Sequence, residues 1–263
     1  MKLVNRNIGI KLASTPEVIE FLKQQQADFI TLQEAARPLD SSVAEPYRSQ
    51  SKIVTALKSD LPYELFGPTW VANAIKTPAE VSYDFGGHIE QGLQLLSRWP
   101  IAKGSNEFYH RHYEYMQDWS NWKQEDHGRA VLVSQINIHG QPLQVLNLHG
   151  IWSADKLGDE RTLAQCQYIV EAAKRSDIPT IIAGDFNLMP HTKSIALMNK
   201  HFRNVTLEFN ATATTPRFKD AIDTGGTLID YIFVNDRVVV KDFRVEETDI
   251  SDHYPLILEF EPV

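Results

Sequence analysis

The chain reads as an α/β protein, and three observations carry that reading. Segments with strand-like alternation or short apolar runs interleave with segments whose apolar residues recur at helical spacing. The length of 263 residues, with 43% hydrophobic and 23% charged residues, suits one large packed domain. No repeat, low-complexity tract or linker interrupts the pattern, so residues 1–263 are expected to form a single domain.

Taken in order, residues 2–10 alternate like a strand. Thr15-Pro16-Glu17 places an N-cap residue ahead of a proline at the first helical position. Val18, Ile19, Phe21 and Leu22 then supply the apolar face of a helix ending near Gln26. Residues 28–32 form a short apolar strand that delivers Gln33 and Glu34 at its C-terminal end. Further strands are expected at 92–97, 130–138, 143–148, 180–183, 228–234, 238–245 and 256–260. Residues 159–174 carry Leu163, Cys166, Ile169, Val170 and Ala173 at helical spacing, so this helix should pack on a sheet. Two stretches read as irregular. Residues 67–87 contain prolines and the Gly86-Gly87 pair, which reads as a turn. Residues 105–128 crowd Phe108, Tyr109, Tyr113, Tyr115, Trp119 and Trp122 among His110, His112 and His127. A loop of that length is usually functional when it is not disordered, and its aromatics argue against disorder. Those rings suit packing the loop down as well as touching substrate, and the histidines lack a zinc spacing.

Charge and cysteine usage narrow the function classes. A net charge of -8 opposes a large basic footprint for nucleic acid, whose binding rests on Lys and Arg at phosphates. A phosphate ester remains compatible, because acids gathered around a bound cation contribute to that charge. No apolar run reaches the length of a membrane span. The lone Cys166 has no intrachain disulfide partner. The first residues enter strand-like alternation with no export signal, so a cytoplasmic monomer is the default expectation.

The chemistry gathers at strand ends. In residues 180–187 (TIIAGDFN) a buried strand runs into Asp185 and Asn187, which alternation puts on one face with Phe186 on the other. Asn147 and His149 end another apolar strand, and Asp230 sits inside the apolar run LIDYIFV. Asp252 and His253 precede the final strand. Buried carboxylates need partners, and a hard cation such as Mg²⁺ or Mn²⁺ would supply one for Glu34 and Asp252. An acid near His253, with Asp230 the candidate, would hold the imidazole tautomer. Asp185 is then placed to orient a water, and Asn187 and His149 to donate to phosphoryl oxygens. Trp152, three residues past His149, is a candidate substrate wall. Asn5 and Asn7 share a strand face, and alternation does not choose between them. Each motif alone also fits ordinary structure: G-D-x-N as a strand-to-turn transition, Asp230 as a paired sheet residue, S-D-H as a solvated turn. No G-x-S-x-G elbow supports serine nucleophile chemistry.

In combination, Gln33-Glu34, Asn147-x-His149, Gly184-Asp185-x-Asn187, Ile229-Asp230-Tyr231 and Ser251-Asp252-His253 resemble, in type and order, the endonuclease/exonuclease/phosphatase superfamily with its deoxyribonuclease I-like fold. The resemblance spans residues 7–253. It implies a four-layer α/β sandwich, two mixed β-sheets packed face to face with helices outside, and a Mg²⁺- or Mn²⁺-dependent phosphoesterase. It also implies Glu34 and Asp252 as metal ligands, Asp185 as the water-orienting residue, Asn187 and His149 at the phosphate, and Asp230 supporting His253. The Asn7-Ile8 pair matches the family's metal-proximal asparagine, although Arg6 stands where an apolar or aromatic residue is usual. Arg129 opens a strand where some members have a phosphate-binding Arg or Tyr. The competing expectation is a binding or scaffold module on the same fold with an idle centre.

Overall fold

Strand residues in this chain alternate between two buried faces, and that alternation builds the layers. The computed structural model describes residues 1–10, 15–76, 82–116, 127–216 and 226–263. Its first half runs β1 (Lys2–Asn7), α1 (Thr15–Gln25), β2 (Phe29–Pro38), a 3-10 turn (Glu45–Tyr47), α2 (Ser49–Leu57), β3 (Tyr63–Lys76), β4 (Ser82–Ser97), β5 (Ile101–His110) and β6 (Glu114–Tyr115). Next come β7 (Arg129–Ile138), β8 (Gln141–His149), α3 (Glu160–Ala173), β9 (Thr180–Asp185) and α4 (Lys193–Asn199). The chain closes with β10 (Arg203–Asn204), α5 (Val205–Glu208), β11 (Asp230–Val234), β12 (Val238–Val245) and β13 (Leu256–Pro262).

Two sheets result. The seven-stranded sheet has the order β12-β13-β1-β2-β4-β3-β6 and the six-stranded sheet β10-β11-β9-β8-β7-β5. Both are mixed: β1 and β2, β3 and β6, and β8 and β9 pair in parallel, while the other neighbours are antiparallel. Leu3 and Phe29 of the larger sheet meet Val145, Ile181 and Ala183 of the smaller one in a shared core. The residues between them in sequence face outward. Val4 and Ile30 pack with Val18 and Leu22 of α1 and Ile53 of α2. Ile182 packs with Cys166 and Ile169 of α3 and Met198 of α4. The architecture is therefore helix, sheet, sheet, helix. Burying each such side chain contributes about 1.5–3 kcal/mol, on either face. Apolar pattern alone thus leaves the register weakly specified, and the polar residues decide it. A one-residue slip of β1 would turn Asn5 and Asn7 toward the helices and Arg6 into the inter-sheet core.

Helix ends follow local chemistry. Asp159 accepts hydrogen bonds from the backbone N–H groups of Arg161 and Thr162, and the Thr162 hydroxyl closes the capping box at the start of α3. No helix among the described residues is long and apolar enough to cross a membrane.

Both stretches read as irregular need correction. Residues 67–87 belong mostly to the long antiparallel β3–β4 hairpin, with Tyr63 opposite Ser97. Gly86 and Gly87 lie inside β4 and not in a turn, with Gly86 at φ 73°. Pro68 falls at the register shift between Pro68 and Trp70, where a missing N–H is tolerated, and Pro78 lies outside the described residues. Residues 101–110 form β5, the edge strand of the smaller sheet. Its run 102–105 is exposed, so it carries little of the apolar alternation that marks a half-buried strand. Trp119 and Trp122 lie outside the described residues.

Candidate active site

The polar strand ends converge at one end of the seam between the sheets. β8 and β9 run parallel with His149 opposite Asp185, and antiparallel β11 sets Asp230 opposite Asp185. Gly184 permits the close approach of β8, since a Cβ there would run into the Leu148 carbonyl. Glu34 differs from the sequence expectation of a strand end. β2 continues to Pro38, and Glu34 sits at a bulge between Leu32 and Ala35 with φ 60°, which re-aims its side chain.

Asp185 is the hub, 1% exposed. Its Oδ2 lies 3.6 Å from His149 Nε2 and 3.6 Å from His253 Nε2. Asn7 Nδ2 donates to that same oxygen and to Glu34 Oε1, each at 3.2 Å. His149 Nε2 is also 3.9 Å from Glu34 Oε1. The Asn7 Oδ1 accepts from the Gly9 N–H at 3.0 Å, so in this rotamer the amide nitrogen faces the acids. Asn5 belongs elsewhere. Its Oδ1 accepts from Thr31 (3.0 Å) and Gln33 (2.9 Å), and Gln33 also donates to Asn147 Oδ1 at 2.6 Å. Asn147 in turn donates to the carbonyls of Leu32 and Gln94. This buried amide network cross-links the sheets. Geometry thus separates two asparagines that alternation left equivalent.

His253 is clamped by Asp230, whose oxygens lie 2.9 and 3.1 Å from Nδ1. An ionised Asp230 can only accept, so Nδ1–H donates and Nε2 points at Asp185. Burial pushes the Asp230 carboxyl above the usual carboxylate range; His253 pulls it down and the charge of Asp185 raises it. The Thr214 hydroxyl donates to Asp230 Oδ2 at 2.7 Å and accepts from the backbone N–H groups of Ile229 and Asp230. Asp252, half-buried, accepts from the Ser251 hydroxyl at 3.3 Å, and Ser251 also donates to the Asn7 carbonyl. Behind them Arg6 is fully buried against the Phe21 ring, 5.2 Å away. Desolvation lowers its pKa to about 10, opposed first by the charge of Asp252.

The opposite side of the hub carries donors and cations. Asn187, in the left-handed region at φ 56°, donates its backbone N–H to Asp185 Oδ1 at 2.8 Å. Its Oδ1 accepts from Lys156 Nζ at 2.8 Å, and that ammonium lies 4.5 Å from the centre of the Trp152 ring. Arg129 is buried at the start of β7. Burial lowers its pKa, against the opposing influence of the acidic groups Tyr109, Asp185 and Glu34. Tyr109 donates to the His149 carbonyl at 2.7 Å. Burial, then the charges of Arg129, His149 and Arg111, hold His127 well below its ordinary pKa. Thr214, Tyr109 and Lys156 carry no motif signal. Each is set beside the site by chain segments that sequence spacing does not relate.

The donor chemistry suits a hard divalent cation. Glu34 and Asp185 present carboxylate oxygens close enough to share one amide donor, and the lone Cys166 is buried on the face of α3 that packs against the smaller sheet. Ligand atoms of Asp185, Asp230 and His253 also lie within 4.8 Å of one another, although His253 Nδ1 is engaged by Asp230.

Residues 7–253 match the model of the Endonuclease/Exonuclease/phosphatase family. A UPF0294 protein of Yersinia pseudotuberculosis is 32% identical over 139 residues, which are 51% of this chain and 49% of that protein. The chain spans about half the length of the curated relatives it matches. An endonuclease/exonuclease/phosphatase from Beutenbergia cavernae superposes with a TM-score of 0.74 at 16% identity, covering 100% of this chain and 71% of that one. A mannosyl-6-phosphatase from Bacteroides thetaiotaomicron superposes with a TM-score of 0.62 at 15% identity, covering 99% of each. At such identities the structural likeness concerns the fold, and it is the family model, matched along nearly the whole chain, that makes this protein a member of the Endonuclease/Exonuclease/phosphatase family.

Proposed function

We propose that this chain is a Mg²⁺- or Mn²⁺-dependent phosphoesterase, acting as one catalytic domain. The observation that carries the reading is Asp185, a buried carboxylate set 3.6 Å from each of two imidazoles, one of them backed by Asp230. Asp185 orients a water for in-line attack on phosphorus. The water oxygen forms the new P–O bond, its proton passes to Asp185, and the P–O bond to the leaving-group oxygen breaks on the far side. His253, held by Asp230, stabilises the charge that develops, while His149 and Asn187 donate to non-bridging oxygens and Arg129 adds a buried positive charge. Glu34, Asn7 and Asp252 would hold the cation, with Asn7 turning its amide to offer Oδ1. When bound, the cation supplies charge neutralisation at the phosphoryl oxygens.

A small phosphorylated molecule fits better than a nucleic acid. The net charge of -8 disfavours a polyanion, and a structural relative over the whole chain is a mannosyl-6-phosphatase. The test is a Mg²⁺/Mn²⁺ panel of sugar phosphates, nucleotides, inositol phosphates, phospholipids, DNA and RNA. Asp185→Ala and His253→Ala serve as blanks, and each should lower turnover by a factor of about 10² or more. Unchanged metal-dependent turnover in both variants would sink the assignment.

A further inference from the structure

Lys156 lies outside the mechanism above, yet the molecule goes to some length to place it. It is 5% exposed, in the loop between β8 and α3, and adopts a left-handed backbone at φ 56° without being glycine. Its main chain is stitched to the loop that carries Asn187, because the Met189 N–H donates to the Lys156 carbonyl at 2.9 Å. Its ammonium donates to Asn187 Oδ1 at 2.8 Å and sits over the face of Trp152, 4.5 Å from the ring centre. A strained backbone and a buried ammonium persist only where the surroundings over-determine them. Here two independent links, one through the side chain and one through the main chain, run to the same short loop.

The chemistry of the pair gives Lys156 a task. An asparagine amide has an acceptor end and a donor end of nearly equal shape, so packing alone does not decide which faces a ligand. An ammonium has no acceptor and attracts only the oxygen end. With Oδ1 held by Lys156, the Nδ2–H₂ group, which also reaches the Gly150 carbonyl at 3.3 Å, is the end left to serve an anion. A flipped amide would present its oxygen to a phosphoryl oxygen and repel it. The positive charge on Oδ1 also polarises the amide and strengthens its N–H as a donor. We infer that Lys156 is a positioning residue for phosphate recognition, which locks the Asn187 amide as a hydrogen-bond donor and is itself held by Trp152. The inference rests on Asn187 serving the phosphate, as proposed above.

The test uses the whole chain, inorganic phosphate as the probe in the presence of Mg²⁺, and four variants: Lys156→Met, Lys156→Arg, Asn187→Ala and the Lys156→Met/Asn187→Ala double. The side-chain amide signal of Asn187 is assigned by its loss in Asn187→Ala. In Lys156→Met, which keeps the apolar stem, that signal should move and its hydrogens should exchange about tenfold faster. Phosphate affinity should fall about tenfold in Lys156→Met, less in Lys156→Arg, and no further in the double variant than in Asn187→Ala alone. A purely structural lysine would lower affinity additively and leave the amide signal in place. An unmoved Asn187 signal, or phosphate affinity within twofold of the parent, overturns the inference. If Lys156→Met does not fold, Lys156→Arg decides: an amide signal shifted from the parent's supports the inference, and an unshifted one overturns it. Hydrolysis is scored separately. A parent chain inactive on every substrate, yet showing these amide and phosphate effects, removes the phosphoesterase reading and leaves the role of Lys156 standing.

Discussion

A single hydroxyl, that of Thr214, holds three partners at the heart of the site. It donates to Asp230 and accepts from two consecutive backbone N–H groups, all in a region closed to water. Thr214→Val keeps the shape and removes every one of these bonds. Leaving buried donors unmet costs about 1–3 kcal/mol, so stability in urea should fall by that amount. The Asp230–His253 clamp should loosen with it, and kcat should drop by more than the loss of folded protein explains. Equal kcat per folded molecule would show that Thr214 serves the fold alone. Nothing at Thr214 in the sequence announces this, because a threonine in the run Ala211 to Thr215 looks like any polar loop residue. Asp230 was legible, since a carboxylate inside an apolar strand demands a partner; its hydroxyl partner, 16 residues earlier in the chain, was not.

At the level of elements, the site depends on how near β8 and β9 come to each other. The parallel pairing sets His149 against Asp185, and Gly184 leaves the room for it. Gly184→Ala would drive a methyl group into the Leu148 carbonyl, which is backbone and cannot swing aside. The strands must part, at a cost of about 1–3 kcal/mol. A denaturation midpoint unchanged from the parent's would contradict this account of the glycine. The G-D-x-N motif showed that a strand ends here, but not why glycine precedes the acid. That reason lives on the neighbouring strand. The Glu34 bulge was hidden in the same way. Local sequence reads as a strand stopping at Glu34, while pairing with β4 carries β2 on to Pro38.

Across the whole molecule, the site lies where the two sheets meet, so a cation neutralising its acids there should stabilise the folded chain. Glu34 and Asn7 come from the larger sheet and His149 and Asp185 from the smaller, and the two carboxylates, Glu34 and Asp185, repel each other across the seam with one amide donor between them. A cation that binds the folded state at one hundred times its Kd contributes about 2.7 kcal/mol. For a chain of this size that corresponds to a rise of roughly 5–10 °C in Tm on adding Mn²⁺ or Mg²⁺, reversed by chelation. Glu34→Gln should remove most of the rise. A Tm indifferent to both ions would speak against a cation at this seam.

The sequence by itself determined the interleaving of strands and helices and marked the strand-end acids and histidines as candidates, while the layer architecture was what the family resemblance implied. Period-two alternation places alternate residues on opposite faces whatever the partner strand, and carboxylates ending apolar strands mark where burial must be compensated. Tertiary structure alone decided which asparagine faces the acids, where β2 ends, that residues 67–76 and 82–87 form a hairpin, and that Thr214 and Lys156 stand behind Asp230 and Asn187. The physical reason is common to all of these. Each depends on contacts between segments far apart in the chain, and a local pattern carries information about a residue's face but none about the partner that face will meet.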